Sequence, residues 1–199
     1  MAGARAPRTP LLGTLLVLSF LALGAVACSG DGADGSTGAD KEQVRATLRE
    51  ALTAHADGDL DKAEELYRET LRLDPQNKFA YYNLGVIAQT QGDSERAISS
   101  YRDAIDIDPD FVPALFNLAI LATETGDAHD AVGLYSHIVE VAPDDANAHL
   151  NLGFLLIDQG RAERGQRELD EAVRLDPSLA ERITPQTGAT GPVATGASS

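Results

Sequence analysis

One period governs most of this chain. Pro75, Pro109, Pro143 and Pro177 stand 34 residues apart, and so do Gly58, Gly92, Gly126 and Gly160. Tyr67, Tyr101, Tyr135 and Leu169 keep the same step, as do Ala63, Ala97, Ala131 and Gly165, and Leu84, Leu118 and Leu152. Five columns in one register mean stacked copies of one supersecondary unit, each burying its apolar face on its neighbours. The units fall at 44–77, 78–111, 112–145 and 146–179.

The columns have physical roles. Each Gly suits the end of a first helix, where a left-handed residue is needed. Asp59, Asp93 and Asp127 follow and can cap a second helix. Each Pro stops that second helix, because the residue before proline disfavours helical geometry. The Ala column lets paired helices approach, and the Tyr column fills the space beside it. Leu73, Ile107, Val141 and Leu175 are expected to continue the core between units, and Asp40 with Gln43 to form a capping box for the first helix. The column Glu64, Ile98, Val132, Gln166 is apolar inside and polar at both ends, as a repeat array requires. Beyond Pro177 only residues 178–183 are available before Pro185 for a separate capping helix, a stub of one or two turns. The last unit then caps itself or binds something there.

The pattern resembles the tetratricopeptide repeat. The resemblance rests on Tyr81-x-x-Leu84-Gly85, then Ala97-x-x-x-Tyr101, then Pro109. It implies an all-α fold, a right-handed α-solenoid of four helix–turn–helix repeats whose first helices face a concave groove.

The ends read differently. Arg5 and Arg8 precede an apolar run from Leu11 to Ala27, closed by Ala25-Val26-Ala27-Cys28. A positive start, an apolar core and small residues at a cut site describe a signal peptide at 1–27. Cys28, the only cysteine, sits where the bacterial lipobox, which this segment resembles, places its lipidated residue. Ala25 departs from that pattern, which usually has Leu there, and an ordinary signal peptidase could also cut before Cys28. The resemblance implies a membrane-anchored extracytoplasmic lipoprotein; the alternative is a soluble secreted or periplasmic protein. Residues 28–40, Gly-rich after Cys28, read as a linker reaching roughly 20 Å. The array is expected over 41–183, and the uncharged segment 184–199 as a disordered tail.

Net charge is −15, from 31 acidic against 16 basic residues. Nucleic-acid affinity comes largely from Lys and Arg on phosphates, so that partner is excluded. No phosphate loop, nucleophile elbow or zinc-binding His pair is present, so neither an enzyme, a small-molecule substrate nor a cofactor is expected. His137 and Glu140, three apart, read as a solvated helix face rather than a metal site.

The expected function is binding of a protein or peptide segment and scaffolding of an envelope complex. The column Arg49, Asn83, Asn117, Asn151 lies on the first helices. Asn costs about 0.6 kcal/mol against Ala inside a helix, so three cost on the order of 2 kcal/mol unless used. An amide both donates and accepts, which suits a peptide backbone whatever its side chains. Tyr82 and Phe116, with Leu48 and Leu150, and Val86, Ile120 and Phe154, with Leu52, would add an apolar stripe. Gln89 and Thr123 extend its polar side, and Glu124 and Asp158 make one edge acidic. Arg45, Arg49 and Lys78 would form a basic corner. Leu48, Leu52 and Pro113 stand where the carboxylate clamp of some family members needs polar groups, so that mode is not supported. The alternative function is a self-assembling solenoid with no peptide ligand.

Overall fold

A computed structural model describes residues 38–187. The expected signal segment, Cys28 and the end of the expected tail lie outside the described residues. Within them there are nine α-helices, one 3-10 turn and no strand. The helices are α1 (Gly38–Ala56), α2 (Leu60–Leu73), α3 (Lys78–Thr90), α4 (Ser94–Ile107), α5 (Val112–Glu124), α6 (Ala128–Val141), α7 (Ala146–Asp158), α8 (Ala162–Leu175) and α9 (Ala180–Thr187). The 3-10 turn, Pro177–Leu179, joins α8 to α9. The first eight helices pair as four hairpins, and each hairpin packs on the next, giving an all-α solenoid.

Local chemistry sets the helix ends. Gly58, Gly92, Gly126 and Gly160 take φ of 81°, 77°, 83° and 78°, which reverses the chain inside each hairpin. Asp59, Asp93 and Asp127 then accept from the backbone N–H of Lys62, Arg96 and Asp130, satisfying an orphan donor of α2, α4 and α6. The fourth hairpin has Arg161 at this place, without a side-chain cap. Asp74, Asp108, Ala142 and Asp176, each preceding a proline, leave the helical region with φ near −135°.

Some expectations are corrected. α1 starts at Gly38, so Asp40 lies within its first turn rather than at its N-cap. α9 continues to Thr187, past residue 183. Leu73 and Val141 are 36% and 37% exposed. They sit at the last helical position, where the chain turns outward before proline. The column one turn earlier, Thr70, Ala104, Ile138 and Ala172, is fully buried instead.

Helix approach is tightest in the hairpin interiors. Ala51 and Ala63, and Ala119 and Ala131, are completely buried. Tyr67, Tyr101 and Tyr135 fill the space beside them, with Leu169 in the fourth hairpin. A Cβ at Gly85 would stand 2.5 Å from the Tyr101 ring. One core cluster runs through α5, α6 and α7, joining Leu115, Tyr135, Ile138 and Leu152. The array's ends are polar: Glu64 pairs with Arg68 and with Arg96 of the next hairpin, and Gln166 donates to Asp170. At the C-terminal end Leu179 and Ile183 pack on Leu150, Leu169 and Ala172, so the stub covers the last hairpin.

Candidate functional site

The Asn column is not uniform once folded. Asn83 donates to the Phe79 carbonyl in its own helix (2.7 Å), and Asn117 donates to the Tyr101 hydroxyl (3.2 Å). Asn151 makes no side-chain hydrogen bond among the described residues, and Arg49 is exposed on α1. Each engaged amide still has a second N–H and, in Asn83 and Asn117, an unused oxygen.

The apolar stripe divides between core and surface. Leu150 is fully buried under Leu169, Ala172 and Leu179 and lines no groove. Leu48 is half-buried and Leu52 is 47% exposed. Tyr82 leans on Tyr101 (centroids 5.9 Å) and presents an edge to Phe111 (5.6 Å). Phe116 stacks edge-on against Tyr135 at 5.5 Å. Val86, Ile120 and Phe154 are half-buried.

Three of these residues meet in one place. A cleft of about 320 Å³ opens between α5 and α7, lined by Ile120, Thr123, Glu124, Tyr135, Asn151, Phe154, Leu155 and Asp158. Ile120, Phe154 and Leu155 make it apolar, and Glu124 and Asp158 stand exposed in its wall. Neither carboxylate has an ion-pair partner among the described residues.

The tyrosine beneath the cleft differs from its equivalents. The Tyr67 hydroxyl is 3.3 Å from His55 Nδ1, and the Tyr101 hydroxyl donates to Gln89 (2.8 Å) while accepting from Asn117. In the third hairpin Thr123 replaces His55 and Gln89, and its hydroxyl donates to the Ala119 carbonyl. The Tyr135 hydroxyl consequently has no hydrogen-bond partner among the described residues, although the residue is only 2% exposed. Burial pushes all three phenols up to about 12, and Asp145 and Glu124 add to this at Tyr135.

Sequence reasoning missed two features. Phe79, 48% exposed, packs edge-on against Phe111 at 5.6 Å, and the Lys78 ammonium lies over both rings. Lys78 also pairs with Asp108, so it is committed there rather than to a basic corner with Arg45 and Arg49. Phe111 could not be foreseen because it occupies the N-cap of α5, where Asn77 and Asp145 cap α3 and α7. The second is His149, 8% exposed, whose Nδ1 meets Glu168 (2.8 Å) and whose Nε2 meets the Pro143 carbonyl (3.1 Å). The ring is thus held at both nitrogens. His137 contacts the Pro109 carbonyl and Asp110. Among the described residues no three His, Cys, Asp or Glu side chains are grouped to hold a metal.

The profile of the family described as the cilia and flagella-associated protein 70 middle TPR-like domain matches residues 47–175. The chain belongs to this TPR-like family. Among solved structures the TPR array is similar to PilF of Pseudomonas aeruginosa, at 21% identity and a TM-score of 0.63, over 74% of this chain and 68% of that one. It is similar to MamA from Desulfovibrio magneticus RS-1, at 19% identity and a TM-score of 0.61, over 72% and 88% of the two chains. It is also similar to YrrB, described as a TPR protein with an unusual peptide-binding site, at 18% identity and a TM-score of 0.60, over 74% and 76%. At these identities the likeness is one of fold. The comparison with curated proteins found no match.

Proposed function

We propose that this TPR array is a non-catalytic interaction module that holds an extended protein segment along α1, α3, α5 and α7. In this reading it is anchored outside the cytoplasm by a lipid on Cys28 and scaffolds an envelope complex. The observation that carries the binding role is the α5–α7 cleft, where Ile120, Asn151 and Phe154 combine an apolar wall with an unpaired amide. A preformed solenoid loses little conformational freedom on binding, which favours this use. YrrB lends the reading a parallel, since that protein is described as having a peptide-binding site. Leu179 and Ile183 cover the last hairpin and remove the open apolar end that end-to-end stacking would use.

Capture from the cell envelope tests the groove. The full chain is expected to enrich a partner that a variant with Asn83, Asn117 and Asn151 all changed to Ala does not retain. The variant should keep its helicity, because Ala is the better helix former and the Tyr101 hydroxyl retains Gln89. Equal enrichment by both would move the binding surface elsewhere. Fractionation tests the anchor: Cys28→Ser should shift the protein from the membrane fraction to the soluble one. Persistence of this variant in the membrane would sink the lipid anchor.

A further inference from the structure

The repeats serve as internal controls for one another, and two columns change character at the α5–α7 cleft. The column at the end of the first helices reads Ala56, Thr90, Glu124, Asp158, so acid appears only where the cleft lies. The column facing the tyrosine hydroxyls reads His55, Gln89, Thr123, Ile157. In the first two hairpins it satisfies the hydroxyl; in the third it does not. The third tyrosine is nearly as buried, at 2% against 0% for the others, and it lines the cleft, where its unpaired hydroxyl reaches the surface. An internal partner has been lost at the same place where two unpaired carboxylates appear.

We propose that this cleft receives the side chain of a lysine or arginine carried by an extended partner segment. The proposal rests on the groove-binding reading above and adds the chemistry of the occupant. The aliphatic stem of the cation lies on Ile120, Phe154 and Leu155, as long basic side chains cover apolar surface while keeping their heads polar. Its head sits between Glu124 and Asp158. The Tyr135 hydroxyl supplies an acceptor beneath it, and the Asn151 amide pairs with the segment's backbone. Long-range charge points the same way, since a chain of net charge −15 draws basic segments towards it.

The test uses the full chain in mild detergent and three fluorescein-labelled octapeptides. They are identical except for one central residue between two leucines: lysine, norleucine or glutamate. Anisotropy is expected to show the lysine peptide binding roughly tenfold more tightly than the norleucine one, with glutamate weakest and the preference shrinking with added salt. Glu124→Gln with Asp158→Asn should bring lysine down to the norleucine level. Tyr135→Phe should weaken the lysine peptide about threefold without lowering the melting temperature, because no internal hydrogen bond is lost. Equal binding of lysine and norleucine peptides, both abolished by Asn151→Ala, would overturn the cationic occupant while leaving the groove reading intact. A lysine preference that survives the double carboxylate change would place the cation elsewhere and overturn the proposal. Absence of binding by all three peptides would overturn it too, and envelope capture would then judge the groove alone.

Discussion

Tyr101→Ala is expected to destabilise the array by about 3–5 kcal/mol, the cost of truncating a fully buried aromatic side chain. Tyr101 is completely buried, its ring lies against Gly85 and Tyr82, and its hydroxyl joins Gln89 of α3 to Asn117 of α5. It therefore links two consecutive hairpins as well as filling one. In a repeat array, stability is carried by units and by their nearest-neighbour contacts, so a central loss is felt on both sides. Denaturant unfolding followed by helical circular dichroism should show a lower midpoint, with the transition split or broadened. Tyr101→Phe separates the packing from the polar link and should cost only about 1–2 kcal/mol. The same change at Tyr135 should cost almost nothing, since that hydroxyl has no partner among the described residues. A loss below about 1 kcal/mol for Tyr101→Ala would sink the packing account.

The contrast between Tyr101 and Tyr135 also marks where sequence stops being legible. The 34-residue period places helices, turns and tyrosines, because glycine, proline and small residues act through short-range backbone sterics that any copy obeys. The groove depends on differences between copies, and these show their meaning only when neighbours are seen. Asn83, Asn117 and Asn151 share one column, yet one bonds its own helix, one bonds a tyrosine and one lies open. Leu150 shares a column with half-buried Tyr82 and Phe116, but the short C-terminal stub covers it. Phe111 gives up a helix cap on α5 for contacts with Phe79 and Tyr82 of α3, a trade that the columns shared by all four units do not record.

Gly165→Ala should destabilise the last hairpin by about 1–3 kcal/mol, the range for overpacking a filled core. Repeat logic gives the opposite sign. The other three units carry Ala63, Ala97 and Ala131 in this column, and Gly→Ala inside a helix gains up to about 1 kcal/mol. The geometry decides between them. A Cβ on Gly165 would lie 2.6 Å from the Gly153 carbonyl oxygen and 3.0 Å from the Ile157 nitrogen. Both are backbone atoms of α7, so no side chain can swing aside and the two helices must separate. Gly153→Ala should also destabilise, because its Cβ meets the Leu169 side chain at 2.6 Å and, behind it, the Gly165 carbonyl oxygen of α8 at 2.9 Å. Gly133→Ala is the control: it also sits inside a helix, and nothing lies within 4 Å of its added Cβ. It should raise the unfolding midpoint by the propensity gain alone. Amide exchange should localise the Gly165→Ala damage to α7, α8 and α9. Since α7 also carries Asn151, Phe154 and Asp158, this variant should weaken the proposed binding of a partner segment as well as stability. If Gly165→Ala raised the midpoint as Gly133→Ala does, the close approach of α7 and α8 would be disproved.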